Sequence, residues 1–204
     1  MRAALRATKD LEYAFVVTGP YADVPFFFGA NKDPGYAGGS FDVKQRKAVL
    51  LGDGKGRISL VTCGEYVAIL FFFFFFFFFG CWSYTNASSV GKFVVHALTH
   101  WEKARGRALK LNSFTTTPDE ILAEFEKQTG EKWDVQYTPL DQLRKLEQDA
   151  WEKGQPDATG LTLRRIWTEG GTLYERRDNE DIGAGDTVTL AGAVKDAIRA
   201  QLSK

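Results

Sequence analysis

The feature that most constrains this chain is a homopolymer. Phe71–Phe79 are nine consecutive phenylalanines, set in an apolar block that runs from Val67 to Trp82. As a membrane helix the block falls short of the ~20 apolar residues needed to cross the hydrocarbon. Neither flank carries the basic cluster that orients a span. As a core element it has no periodicity, and nine adjacent rings cannot all face one core. Left exposed, such a run is an aggregation hazard.

The rest of the composition is that of an ordinary globular protein. The 204 residues carry 26 Lys+Arg against 26 Asp+Glu, with 44% hydrophobic and 25% charged residues. That length fits one domain or one and a half. The cancelling charges argue against a general nucleic-acid binder, which shows a basic excess. Two cysteines cannot frame a disulfide scaffold and point to a reducing compartment. Met1–Asp10 has no apolar core of the kind a secretory signal needs. A cytoplasmic location follows as the expectation, nuclear if the protein regulates a partner, with no membrane contact unless the Phe run is truly translated.

A third reading of the run reconciles it with this composition: residues 65–89 hold a translated intron. Phe codons are TTT and TTC, so the run encodes a pyrimidine tract, the usual prelude to a 3′ splice site. Glu65-Tyr66-Val67 back-translates to a sequence containing a splice donor, GA|GTAYGT. Tyr84-Thr85-Asn86 allows a branch site, and Ser89 supplies an AG acceptor with one base left over. Excision removes Tyr66–Ser88 and fuses Glu65 with Ser89 into a single Asp, in frame. Two lures vanish with it: the glycosylation sequon at Asn86 and Cys81 as a partner for Cys63.

Outside that block the chain alternates between strand and helix patterns. Arg2–Thr8 has helical composition, and Leu11–Thr18 reads as a buried strand closed by Gly19-Pro20. Tyr21–Ser40, rich in Gly, Pro, Asn and Asp, reads as a long functional loop. Ala48–Leu51 and Arg57–Thr62 read as strands joined by a plain hairpin turn at Gly52–Gly56. Helices are predicted over Val90–His100, from Thr117 to about Thr129, over Leu140–Lys153 and over Leu190–Leu202. Thr117 is a natural N-cap, Pro118 suits the first turn, and Gly130 ends that helix. Strands are predicted at Ala108–Asn112 and Trp133–Tyr137, and Leu161–Trp167 should pack on the core. This alternation predicts an α/β fold with a largely parallel sheet. The abrupt start, helix straight into strand, reads as a domain whose beginning is missing.

No complete catalytic constellation emerges from the residues. Gly52-Asp53-Gly54-Lys55-Gly56 has the wrong spacing for a dinucleotide loop, and a strand follows it instead of a helix. His96 and His100 share a helix face, but Ala97 stands where zinc hydrolases need a glutamate and no third ligand is evident, so no metal is expected. Cys63 has no identifiable base. Tyr13, Tyr21 and Tyr36 lack the lysine four residues on that activates a reductase tyrosine.

Several stretches together resemble one family: LEYAFVVTGPYAD (Leu11–Asp23), KAVLLGDGKGRISLVT (Lys47–Thr62), VGKFVVHAL (Val90–Leu98), Leu109–Val135 and Leu163–Glu180. They are similar to the C-terminal half of NmrA-like and isoflavone-reductase-like proteins, atypical short-chain dehydrogenases/reductases. The family's Asp-Val-Gly-Lys motif is restored at Val90-Gly91-Lys92 by the Asp that splicing would create. The resemblance implies the C-terminal part of a Rossmann-like NAD(P)-binding fold with its substrate lobe, the N-terminal nucleotide-binding part missing. It places Thr18, Gly19 and Pro20 beside the nicotinamide of NADP, and Tyr21, Phe26 and Phe28 around an apolar substrate. It implies a reductase of small aromatic or secondary-metabolite-type molecules, or else a non-catalytic dinucleotide sensor that regulates a partner. The family's glycine-rich loop and its proposed catalytic lysine have no counterpart here, so this chain alone is not expected to bind NADP.

Overall fold

The computed structural model describes residues 7–8, 11–22, 27–31, 37–62 and 89–203. The readings of Arg2–Arg6, Phe26, Tyr36, Cys63 and the block up to Ser88 lie outside these residues. Strands are β1 (Phe15–Thr18), β2 (Ser40–Asp42), β3 (Lys47–Leu51), β4 (Ile58–Leu60), β5 (Ala108–Leu111), β6 (Phe114–Thr116) and β7 (Asp134–Thr138). Helices are α1 (Ser89–Thr99), α2 (Trp101–Ala104), α3 (Pro118–Thr129), α4 (Leu140–Glu152), α5 (Ala158–Thr168) and α6 (Leu190–Leu202), with a 3-10 turn at Glu180–Ile182. None of the helices is long and apolar enough to cross a membrane, among the described residues.

The fold is α/β, but its pairing is mixed. Among the described residues β1 pairs with β5 in parallel, β3 pairs with β7 in parallel and with β2 antiparallel, and β4 pairs with β6 antiparallel. The largely parallel sheet expected from the alternation is present in the parallel pairs β1/β5 and β3/β7, with antiparallel pairs added at β2/β3 and β4/β6. The predicted hairpin at Gly52–Gly56 does not form. Both edges of β3 are already used, by β2 and β7, so β4 pairs elsewhere. Gly52 and Gly54 adopt left-handed φ of 71° and 76° and throw the chain across the start of α3. There Asp119 N donates to Gly54 O at 3.0 Å. A Cβ on Gly54 would lie 2.1 Å from Asp119 Oδ1, so only glycine fits.

Two main cores result. The first joins β2, β3, α3 and α6 around Phe28, Phe41, Phe125 and Trp133. Phe41 stacks on Phe125 with centroids 5.1 Å apart, and Phe28 meets Phe125 edge-on at 5.7 Å. Gln201 locks this core: its Oε1 accepts from Val43 N, and its Nε2 donates to Phe28 O and Phe41 O. Helix α3 is sealed by a capping box, with Thr117 Oγ1 accepting from Glu120 N while the Glu120 carboxylate accepts from Thr117 N. The second core packs Phe93 and Ala97 of α1 against Leu109 and Leu111 of β5, with Val61 and Ile182. Leu161–Trp167, expected only as a packing stretch, lies within α5, which pairs with α4 through Glu147 and Arg165 at 2.5 Å.

Candidate functional site

The parallel pair β1/β5 brings two carboxyl ends to one side of the molecule. Both strands then change partners. After Gly19-Pro20 the chain leaves β5 and joins the end of β4: Val61 N donates to Pro20 O at 3.0 Å and Ala22 N donates to Val61 O at 2.8 Å. After Leu111, Ser113 N donates to Leu60 O at 2.9 Å, and Ser113 Oγ accepts from Thr62 N. The end of β4 is therefore wedged between two diverging parallel strands. Crevices at such switch points, outside the carboxyl ends of strands, are where open α/β folds bind ligands.

Gly19 makes this divergence possible. A Cβ there would sit 2.0 Å from Ser59 O, so β1 and β4 cross backbone to backbone. Opposite Thr18 lies Leu111, and the next residue, Asn112, is 3% exposed. Its Nδ2 donates to Thr115 Oγ1 at 3.0 Å, yet its Oδ1 is buried without a partner among the described residues. Asn179 secures the Asn112 backbone from the other side, accepting from its N–H and donating to its carbonyl. Tyr174 donates its hydroxyl to Val17 O at 3.2 Å, and burial pushes its pKa up. Nearby in sequence, Thr172 Oγ1 is also buried and unpartnered among the described residues.

A cavity of about 500 Å³ opens on the far side of β4. Leu51, Gly52 and Asp53 line it from the turn, Ile58 from β4, and Pro118, Pro139 and Leu140 from the starts of α3 and α4. The lining is mostly apolar, and the volume is that of a small-molecule site. Ile58 is the neighbour of Ser59, whose carbonyl touches Gly19, so one strand separates the cavity from the β1 end.

The residues expected around a substrate lie elsewhere than this cavity. Tyr21 is half-buried in the second core, beside Val61. Phe28 is fully enclosed in the first core by Phe41 and Phe125, because the aromatic cluster is what anchors its loop to α3. Phe26 lies outside the described residues. Thr18, Gly19 and Pro20 do converge on the switch point. Sequence reasoning missed Asn112, Tyr174 and the cavity. Only Asn112 left a signal, as a polar residue at the carboxyl end of a predicted strand. His96 and His100 stack with centroids 6.0 Å apart, and His96 Nδ1 lies 3.1 Å from Ile182 O. No group of three metal-ligating side chains forms among the described residues.

No family model matches the chain. Among curated proteins it is similar to the oxidoreductase aprR of Aspergillus flavus, at 25% identity over 98% of this chain and 57% of that protein. Among solved structures it is similar to a nucleoside-diphosphate-sugar epimerase from Staphylococcus aureus, with a TM-score of 0.55 at 15% identity over 95% of this chain and 55% of that one. It is also similar to an NADPH-dependent quinone oxidoreductase from Escherichia coli solved with NADPH, with a TM-score of 0.53 at 17% identity over 95% and 56%. The chain spans a little over half the length of each of these proteins.

Proposed function

We propose that this chain, whose fold is shared with NmrA- and isoflavone-reductase-like NAD(P)-dependent epimerases and reductases, is the substrate-side part of an NADP-dependent oxidoreductase acting on a small aromatic or secondary-metabolite-type molecule. The observation that carries the reading is the divergence of β1 and β5 around the end of β4. It sets the carboxyl end of β1 at Thr18-Gly19-Pro20 against β4, whose Ile58 lines a mostly apolar cavity of about 500 Å³.

The residues present fit one end of a dinucleotide. The unpartnered Asn112 Oδ1 is an acceptor of the kind a carboxamide N–H satisfies. Thr18, Gly19 and Pro20 would border the nicotinamide ring, and the group's chemistry when bound is hydride transfer. Tyr174 holds the end of β1 through Val17 O. With its proton retained by burial, it serves to position the strand. Leu51, Ile58 and Leu140 exclude water from an apolar substrate. Gly54 packs on the start of α3 while Gly52 and Gly56 face Thr168 of α5, so this glycine cluster is engaged in packing and is not the diphosphate loop in this reading.

The test compares two proteins for NADPH binding by fluorescence and for NADPH oxidation at 340 nm with small quinones and aromatic enones. The 204-residue chain alone should do neither. The chain extended by its upstream genomic coding sequence should do both. Extended protein that binds NADPH without oxidising it would favour the dinucleotide-sensing regulator, and failure to bind would overturn the reading altogether.

The same reading takes the working protein to lack Tyr66–Ser88. Supporting this, Thr62 Oγ1 and Ser89 Oγ lie 2.6 Å apart, both buried. Their Cα atoms are then within about 7 Å, a gap that two intervening residues bridge without strain. Splicing would leave Cys63 and Gly64 as that bridge and put an Asp at the start of α1, whose first turn carries no acidic residue. Sequencing the mature messenger across codons 60–95 decides the point, and retained Phe codons would refute it.

A further inference from the structure

We infer that Asp53 sets the selectivity of the apolar cavity beside β4. The cavity admits a ligand whose apolar body ends in a hydrogen-bond donor, an ammonium or a hydroxyl group, and disfavours carboxylates. The inference rests on the proposed function in treating this cavity as the substrate's, and it adds the polar chemistry of the ligand. Leu51, Ile58, Leu140 and two prolines give the cavity its apolar walls. Among the described residues that line it, Asp53 is the one with an ionisable side chain. Thr168 brings the one hydroxyl, whose proton is already given to Arg164 O at 2.8 Å. What both side chains have left to offer a ligand is an acceptor. Asp53 Oδ1 accepts from Lys55 N at 3.0 Å, which holds the carboxylate at the turn and leaves its other oxygen for the ligand.

The charges around the cavity do not reverse that preference. Helix N-termini favour anions, and the starts of α3 and α4 reach the cavity through Pro118, Pro139 and Leu140. Each start carries its own carboxylates, however: Asp119 and Glu120 on α3, Asp141 on α4. The first donors of α3 are also taken, Asp119 N by Gly54 O and Glu120 N by Thr117 Oγ1. Of the neighbouring cations, Arg144 is paired with Asp141 and Glu169, and Arg165 with Glu147 and Glu169. Lys55 and Arg57 flank Gly56 in the chain, but neither lines the cavity. A carboxylate entering this space gives up hydration to apolar walls and meets the charge of Asp53. An ammonium or hydroxyl group gains a charge-assisted hydrogen bond in return.

The experiment measures binding of probes that share one apolar body: naphthylmethylammonium, naphthylmethanol and naphthylacetate. Isothermal titration calorimetry on the 204-residue chain, without any dinucleotide, gives each Kd at low ionic strength. The ammonium should bind tightest and the carboxylate weakest, at least about ten-fold apart. Asp53→Asn keeps an oxygen for Lys55 N but removes the charge, and should shrink that gap to about two-fold. Asp196→Asn on α6, a helix that contributes nothing to the lining, should leave it unchanged. Nuclear Overhauser contacts from the naphthyl protons to the methyls of Ile58 and Leu140 should place the probes in the cavity. Equal affinities, a gap that survives Asp53→Asn, contacts to other residues, or no binding of any probe overturns the inference. NADPH oxidation by the extended protein separates the two claims. Its failure, with the order of the probes intact, refutes the function and leaves the selectivity of the cavity standing; oxidation without that order refutes the selectivity alone.

Discussion

The two cores of this molecule are finished to different degrees. Around Phe125 three rings pack, one stacked, one edge-on and one tilted, Gln201 satisfies the three backbone groups it faces, and α3 starts on a reciprocal cap. Around β1, among the described residues, the strand is half-buried throughout, Asn112 Oδ1 has no partner, and the first turn of α1 carries no acidic residue. Satisfied polar groups and dense packing mark a region that sustains itself. Among the described residues, the region around β1 has the looser packing and an unpartnered polar atom.

The comparison breaks most readily at the first core. Phe125→Ala should cost about 3–5 kcal/mol, the range for emptying a buried aromatic site, read as a lower urea midpoint. A loss under about 1 kcal/mol would mean the aromatic core is not the foundation of the lobe. Gly19→Ala tests the other region. A methyl driven into Ser59 O forces the β1–β4 crossing apart, at about 1–3 kcal/mol. In the extended protein the same change should weaken NADPH binding more than Phe125→Ala does. Equal effects on binding would remove the distinction between the regions.

Two smaller effects sharpen the contrast. Thr117→Ala removes one half of the α3 capping box and should cost about 1 kcal/mol. An unchanged thermal midpoint would show that the cap does not fasten α3. The last effect is acid-dependent. The hydrogen bond from Arg165 holds the Glu147 carboxyl below its usual range. Its contribution is therefore complete above the unfolded value of about 4.3 and disappears as pH falls through the lower folded value. Glu147→Gln should flatten that acid limb, by under about 1 kcal/mol. An unchanged pH profile would show that the pair does not couple α4 to α5.

Much of the architecture was readable because local chemistry imposed it. Leu190–Leu202 is a helix over the predicted span, and α3 begins at Thr117 and ends at a left-handed Gly130. Caps, prolines and apolar periodicity act within a few residues. Strand pairing does not. Nothing between Lys47 and Thr62 reveals that β7, more than eighty residues later, occupies the edge a hairpin would need. Phe28 shows the same limit at a side chain: its place in a glycine-rich loop does not reveal that Phe125 of α3 packs edge-on against it.

The sequence by itself determined that this is an α/β chain, and it placed the end of a strand at Thr18 with Gly19-Pro20 after it. It also marked the nine phenylalanines as foreign to the composition around them. Only the tertiary structure decided that the segments following β1 and β5 both bond to the end of β4, where the cavity lies, which of Tyr21 and Phe28 belongs to which core, and that Asn112 Oδ1 has no partner among the described residues. Those features depend on contacts between residues far apart in the chain. Their free energy arises only when the elements meet, so no short stretch of sequence carries a record of it.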